Sequence, residues 1–198
     1  EKFIRALAAR YDGDPRLGGL DLGSFGNWGE WHCTSIGLEN PNMYGFETRK
    51  KYADMYLKNF KKSDIFFMTD DHEVLKYALG KKKARVGLRR DGIGSPWHFG
   101  RWIGKPPYDK IERMADVWKD KPIFFEFYGD VNMLHKNKWD IVFSCDWILK
   151  NHVSLVNEIP LHPQLISDDK ERAALDDVCR YAGARLVPEK AEVSYADG

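Results

Sequence analysis

Short runs of β-branched and aromatic residues alternate with amphipathic stretches along most of this chain, and that alternation limits the fold more than any other feature. The runs are "GGLDLG" (18–23), "DIFFMTD" (64–70), "ARVGLRR" (84–90), "PIFFEFYG" (122–129) and "HVSLVNEI" (152–159). Between them, apolar residues at three and four spacing predict helices over roughly 47–61, 71–80, 107–118, 138–150 and 168–182. Glycine or proline marks most of the joins. Such alternation signals a parallel sheet with crossover helices. The nearly continuous apolar strands suit a sheet covered on both faces.

The opening "EKFIRALAARYDGDP" reads as the end of a helix already under way, which suggests that a leading segment is absent. A lone helix followed by five βα units does not make a naturally closed sheet. It does correspond to the second half of an eight-fold barrel, from the third helix through strands four to eight and the last helix. The interval from Glu30 to Glu126 divides into three units of 32 residues, close to the ~31 per unit of a typical (β/α)8 barrel. A doubly wound sheet would want a Gly-rich turn leading directly into a helix. No GxGxxG or P-loop occurs, and "ENPNMYG" separates the first glycine-rich stretch from the next helical pattern. The expectation is therefore an α/β fold in which residues 1–185 form the C-terminal part, about strands 4–8, of a (β/α)8 TIM barrel. Past Gly183, "ARLVPEKAEVSYADG" changes texture, and 186–198 reads as a linker or the first strand of an appended β domain.

A length of 198 residues suits one domain with a sizeable core. The net charge of +1 provides no global field for nucleic acid or an anionic membrane. The lysine runs at 50–51, 61–62 and 81–83 read as solvated helix faces. No apolar run could span a bilayer, and no signal peptide opens the chain. Cys33, Cys145 and Cys179 form neither a CxxC pair nor a zinc spacing, and two or three of them read as buried thiols. The compartment stays open on this count; polysaccharide use would favour a secreted or periplasmic protein over a cytoplasmic one. Aromatic residues make up 14% of the chain, with seven tryptophans, several of them in polar or glycine-containing settings. Rings at that frequency suit a carbohydrate ligand, whose C–H faces stack on them, although Trp also serves in ordinary cores.

Barrel enzymes carry their sites at the C-terminal ends of the strands. Here those ends hold Asn27, Glu30, Trp31 and His32; then Asp70, Asp71 and His72; then Arg89, Arg90 and Asp91; then Glu126 and Tyr128; and lastly Asn157 and Glu158. The opposite ends read as ordinary turns. Glu126 lies inside "IFFEFYG", where a charge must be paired or functional because isolated burial is very costly. Glu30 lies among glycines and tryptophans, a setting able to hold a proton for a leaving group. Two carboxyl groups in those two states are the equipment of glycoside hydrolysis. The competing reading has Glu126 pairing with a core arginine such as Arg90 and bracing the barrel. Arg90 and Asp91 fit either a grip on sugar hydroxyls or a uronate carboxylate, or an internal ion pair. His32 fits either a role in orienting Glu30 or binding substrate, or that of a satisfied structural histidine. Trp97, His98 and Trp102, on the long loop "DGIGSPWHFGRWIGKPP", fit subsite walls. Trp147 fits the core.

A Glu after the fourth barrel strand and another at the end of the seventh resembles clan A of the retaining glycoside hydrolases. More locally, "GSFGNWGEWH", "GLRRDGIGSP" and "PIFFEFYGD" resemble a bacterial barrel family known as domain of unknown function 4832, whose members look like glycosidases and often carry an appended β-sandwich. The resemblance implies a retaining glycosidase acting on a poly- or oligosaccharide, with Glu30 as general acid/base and Glu126 as nucleophile. From their places at the strand ends and on the long loop, Asn27, Trp31, His32, Asp70, Arg90, Asp91, Trp97, His98, Tyr128 and Glu158 are the expected substrate contacts. Gly29 stands where clan members carry an Asn against the sugar 2-hydroxyl, so Asn27 becomes the candidate for that contact.

No cofactor is implied. A metal-dependent barrel hydrolase could draw on His32, Asp70, His72, Asp91 and Glu126, but neither HxH nor HExxH occurs. A carbohydrate-binding barrel without catalysis remains the other alternative. Oligomeric state is not legible.

Overall fold

The computed structural model describes residues 1–32, 44–157 and 166–183. Within them the chain is an α/β fold whose five-stranded, all-parallel sheet curls into a half barrel. The strands β1 (Leu20–Asp21), β2 (Ile65–Met68), β3 (Val86–Ile93), β4 (Ile123–Phe127) and β5 (Leu155–Val156) follow one another in space as in sequence. Helices α1 (Lys2–Tyr11), α2 (Phe46–Asn59), α3 (His72–Leu79), α4 (Val131–Lys136), α5 (Ile141–Lys150) and α6 (Asp169–Tyr181) accompany them.

The strands sort their side chains by the two-residue period of the pleat. In β4, Ile123, Phe125 and Phe127 are buried. Phe125 stacks on Trp147 of α5 at 5.0 Å and meets Trp102 edge-on at 4.9 Å. Trp147 is thus a packing residue, as expected, and Trp102 is one too: it is buried, with its indole N–H donating to Asn151 at 2.6 Å. The expectation of Trp102 as a subsite wall is corrected. The alternate residues, Phe124 and Glu126, share the other face with Phe66, which meets Phe124 edge-on at 5.7 Å. One extra residue on β3 between Arg90 and Ile93 breaks the pairing with β4. That bulge falls where the charged residues begin, and bulges commonly re-aim side chains next to active sites.

Aspartates start the helices. Asp71, Asp130, Asp140 and Asp168 each accept hydrogen bonds from backbone N–H groups of the first turn of α3, α4, α5 and α6. Asp71 also pairs with the buried Arg49 of α2, locking two helices together.

The helix expected over 107–118 is instead two 3₁₀ turns, Tyr108–Lys110 and Met114–Lys119. Arg113 interrupts them at φ 70°. Tyr108, Ile111, Met114 and Val117 are all buried, and a strict spacing of three matches the three residues per turn of a 3₁₀ helix. Helix α4 was not expected; its signal is the Asp130 cap followed by buried Val131 and Leu134. Among the described residues no helix is long and apolar enough to cross a membrane. The segment 186–198, together with Cys33 and Glu158, lies outside the described residues.

Candidate active site

The loop after β1 is built to display some residues and bury others. It closes on itself through Asn27 N–H to the His32 carbonyl (2.7 Å) and Trp31 N–H to the Phe25 carbonyl (3.0 Å). A 3₁₀ turn spans Asn27–Gly29 between those bonds. Gly29 sits at φ +84°, and a Cβ there would lie 2.3 Å from the Gly23 carbonyl oxygen, so only glycine fits. Trp28 and Trp31 both adopt positive φ, 51° and 61°. Backbone held in this sparsely populated region is a feature of sites that the surrounding structure over-determines.

The consequence is a division of labour. Trp31 is 1% exposed, packs on Phe25 at 5.1 Å and donates its indole N–H to the Leu22 carbonyl. It anchors the loop, and the expectation that it contacts substrate is corrected. Trp28, 79% exposed, takes the surface position and meets His32 edge-on at 5.6 Å. Asn27 is not among the residues that line the cleft, and its side-chain nitrogen is buried without a hydrogen-bond partner among the described residues.

The cleft occupies about 610 Å³ at the C-terminal ends of β1 to β4. One side is acidic. Arg89 of β3 donates from Nη1 to Asp21 (2.6 Å), from Nε and Nη2 to Asp91 (2.8 and 3.1 Å) and from Nη2 to Glu126, and it lies 3.9 Å from Glu30. One carboxylate oxygen from each of Glu30, Asp91 and Glu126 lies within 4.8 Å of the others. Glu30 also meets His32, Oε2 to Nε2 at 3.2 Å. Burial pushes the Asp91 carboxyl up to about 8, with the neighbouring Glu126 and Glu30 adding to the rise and Arg89 opposing it. Asp21 is raised in the same way, by burial first. A cluster of four carboxyl groups on one guanidinium therefore keeps a proton near neutral pH.

The other side is basic. Arg90, 1% exposed, donates from Nη1 to Asp70 at 2.8 Å and from Nε to the His98 carbonyl at 2.9 Å. Arg101 reaches the second Asp70 oxygen. The competing reading, in which Glu126 pairs with an arginine, finds its partner in Arg89 rather than Arg90; adjacent strand residues point to opposite faces. His98 packs its ring against Gly92, where a Cβ would lie 2.2 Å from Cδ2. Burial, and then Arg90, hold His98 down at about 4, so it is neutral at physiological pH. Trp97, 84% exposed, and the half-exposed Tyr128 complete the rim.

Of the residues singled out from sequence, Glu30, His32, Asp70, Arg90, Asp91, Trp97, His98, Glu126 and Tyr128 line this one cleft. Sequence reasoning gave no role to Arg89, Arg101 or Asp21 and did not choose Trp28 over Trp31. His72, part of the metal alternative, instead packs against Tyr108 at 6.2 Å. The three clustered carboxylates could reach a cation, but the Arg89 guanidinium already supplies positive charge to two of them.

Fold and site together define an α/β half barrel with a charged, aromatic-rimmed cleft at its strand ends. No protein-family model, no curated protein and no solved structure matches the chain.

Proposed function

We propose that the protein is a retaining glycoside hydrolase acting on a poly- or oligosaccharide, and that the half barrel is the C-terminal part, about strands 4–8, of a (β/α)8 barrel. The observation that carries this reading is the approach of Glu30 and Glu126 within 4.8 Å, through one oxygen each, in a cleft rimmed by exposed Trp28 and Trp97. That approach fits the short carboxyl separation of retaining enzymes, about 5–5.5 Å, better than the ~6.5–9.5 Å of inverting ones. The rim rings supply stacking faces for sugar C–H groups.

Glu30 protonates the glycosidic oxygen as the leaving group departs, and Glu126 attacks the anomeric carbon to form a glycosyl ester. Glu30 then takes a proton from the water that attacks this ester, releasing the sugar with its configuration retained. Arg89 holds Glu126 in place through its hydrogen bond and keeps Asp91 beside it. His32 orients Glu30.

The test is reducing-sugar release from a panel of glycans by the wild-type chain, Glu30→Gln and Glu126→Gln. The reading expects hydrolysis by the wild type and a loss of at least ~10³-fold in Glu126→Gln, with glycan binding kept. Binding without hydrolysis in the wild type would favour a non-catalytic carbohydrate-binding barrel. Hydrolysis abolished by a chelator would favour a metal-dependent one.

A further inference from the structure

The basic side of the cleft has no task in the two-glutamate chemistry. Arg90 and Arg101 share a single carboxylate partner, Asp70, with one oxygen given to each. One positive charge is left over on that wall. Arg90 is 1% exposed, and its Nη2 is buried with no hydrogen-bond partner among the described residues. A buried donor left unmade is costly, more so on a charged group. Arg101 is 55% exposed, lines the cleft and, among the described residues, has its one hydrogen bond to Asp70. The ring beside them, His98, is neutral, so it adds no charge but offers a hydrogen-bonding edge to the same wall.

A neutral glycan would leave this wall as it is. A carboxylate would match it, because a guanidinium binds a planar carboxylate through paired N–H donors. We propose that the cleft takes an acidic glycan, with the carboxylate of a uronic acid unit received by Arg101 and backed by Arg90, while the rim tryptophans stack on the sugar faces. This inference rests on the glycosidase reading for the identity of the ligand as a sugar, but it concerns binding and can be tested without turnover.

The experiment measures binding of the 198-residue chain by quenching of tryptophan fluorescence. The probes are polygalacturonate, alginate, glucuronoxylan and chondroitin sulfate, each beside its carboxyl-reduced form, and chondroitin sulfate also beside its desulfated form. The expected result is that at least one acidic polymer binds and that reducing its carboxyl groups weakens binding about tenfold or more. Arg101→Gln should remove that preference while shifting the thermal melting of the chain only slightly, since the ion pair it loses with Asp70 has one partner 55% exposed and such pairs contribute little to stability. Equal binding of native and carboxyl-reduced polymers overturns the proposal, as does binding of neutral glycans alone. Loss on desulfation but not on carboxyl reduction overturns it in favour of a sulfate ester. Product release separates this from the proposed activity. Carboxylate-dependent binding without hydrolysis upholds the acidic-sugar inference and defeats the glycosidase reading; hydrolysis of neutral glycans alone does the reverse.

Discussion

Asp91 stands between Arg89, Glu30 and Glu126, and its titration can be read in the stability of the whole chain. Its carboxyl is raised from 3.8 to about 8, chiefly by burial. Folded protein therefore keeps a proton there that the unfolded chain releases, so stability from this group is present below about 4 and is lost as pH rises towards about 8. Asp21, also raised, has the same sign. His98 has the opposite one: held down at about 4, it binds no proton in the fold where the unfolded chain does, so stability rises between about 4 and 6.5. Asp12 and Asp168, both lowered, titrate below that window. Above pH 6.5 the loss from Asp91 is the larger change. Melting temperature should fall from pH 6.5 to 8 by about 2–4 °C for each ~1 kcal/mol lost, and Asp91→Asn should flatten that fall. Parallel pH profiles for the two proteins would contradict the assignment of the proton to Asp91. The role of Arg89 was not legible because two arginines adjoin, and only the sheet decides which faces Glu126. Glu126 itself was legible, since a lone carboxylate inside "IFFEFYG" demands a partner or a function.

At the scale of elements, the loop after β1 does the positioning. Gly29→Ala places a Cβ against the Gly23 carbonyl at a φ of +84°. The substitution should cost more than ~1 kcal/mol and should also weaken glycan binding, because Trp28 and Glu30 flank the strained position. A melting temperature and an affinity both equal to those of the wild type would show that the loop is not held as described. Its glycines, Glu30 and His32 marked this loop in the sequence, and the structure places Glu30 and His32 on the cleft. The sequence did not tell Trp28 from Trp31, because both residues take positive φ and the side chains are then aimed by the loop's own hydrogen bonds. The strands were legible from their apolar runs. The stretch 107–118 was misread because residues three apart satisfy a helix and a 3₁₀ turn alike until Arg113 breaks the path.

Across the whole molecule, charge is gathered at one end of a curled parallel sheet. The acidic group on Arg89 and the basic group on Asp70 face one volume of about 610 Å³. Alternation of strands and helices made the parallel sheet legible, and the charges at the strand ends pointed to the end that carries the cleft. The curl that brings Glu30 on the loop after β1 against Glu126 on β4 is a property of packing across three strands, and no local pattern encodes it. The account depends most on those two glutamates acting as acid/base and nucleophile. Its most direct test is proton NMR of the anomeric signals during the first minutes of cleavage of whichever glycan the chain hydrolyses. A product that first appears with the configuration of the substrate, and only later mutarotates, is the predicted result. A product that first appears inverted, or no cleavage of any glycan, would contradict the account.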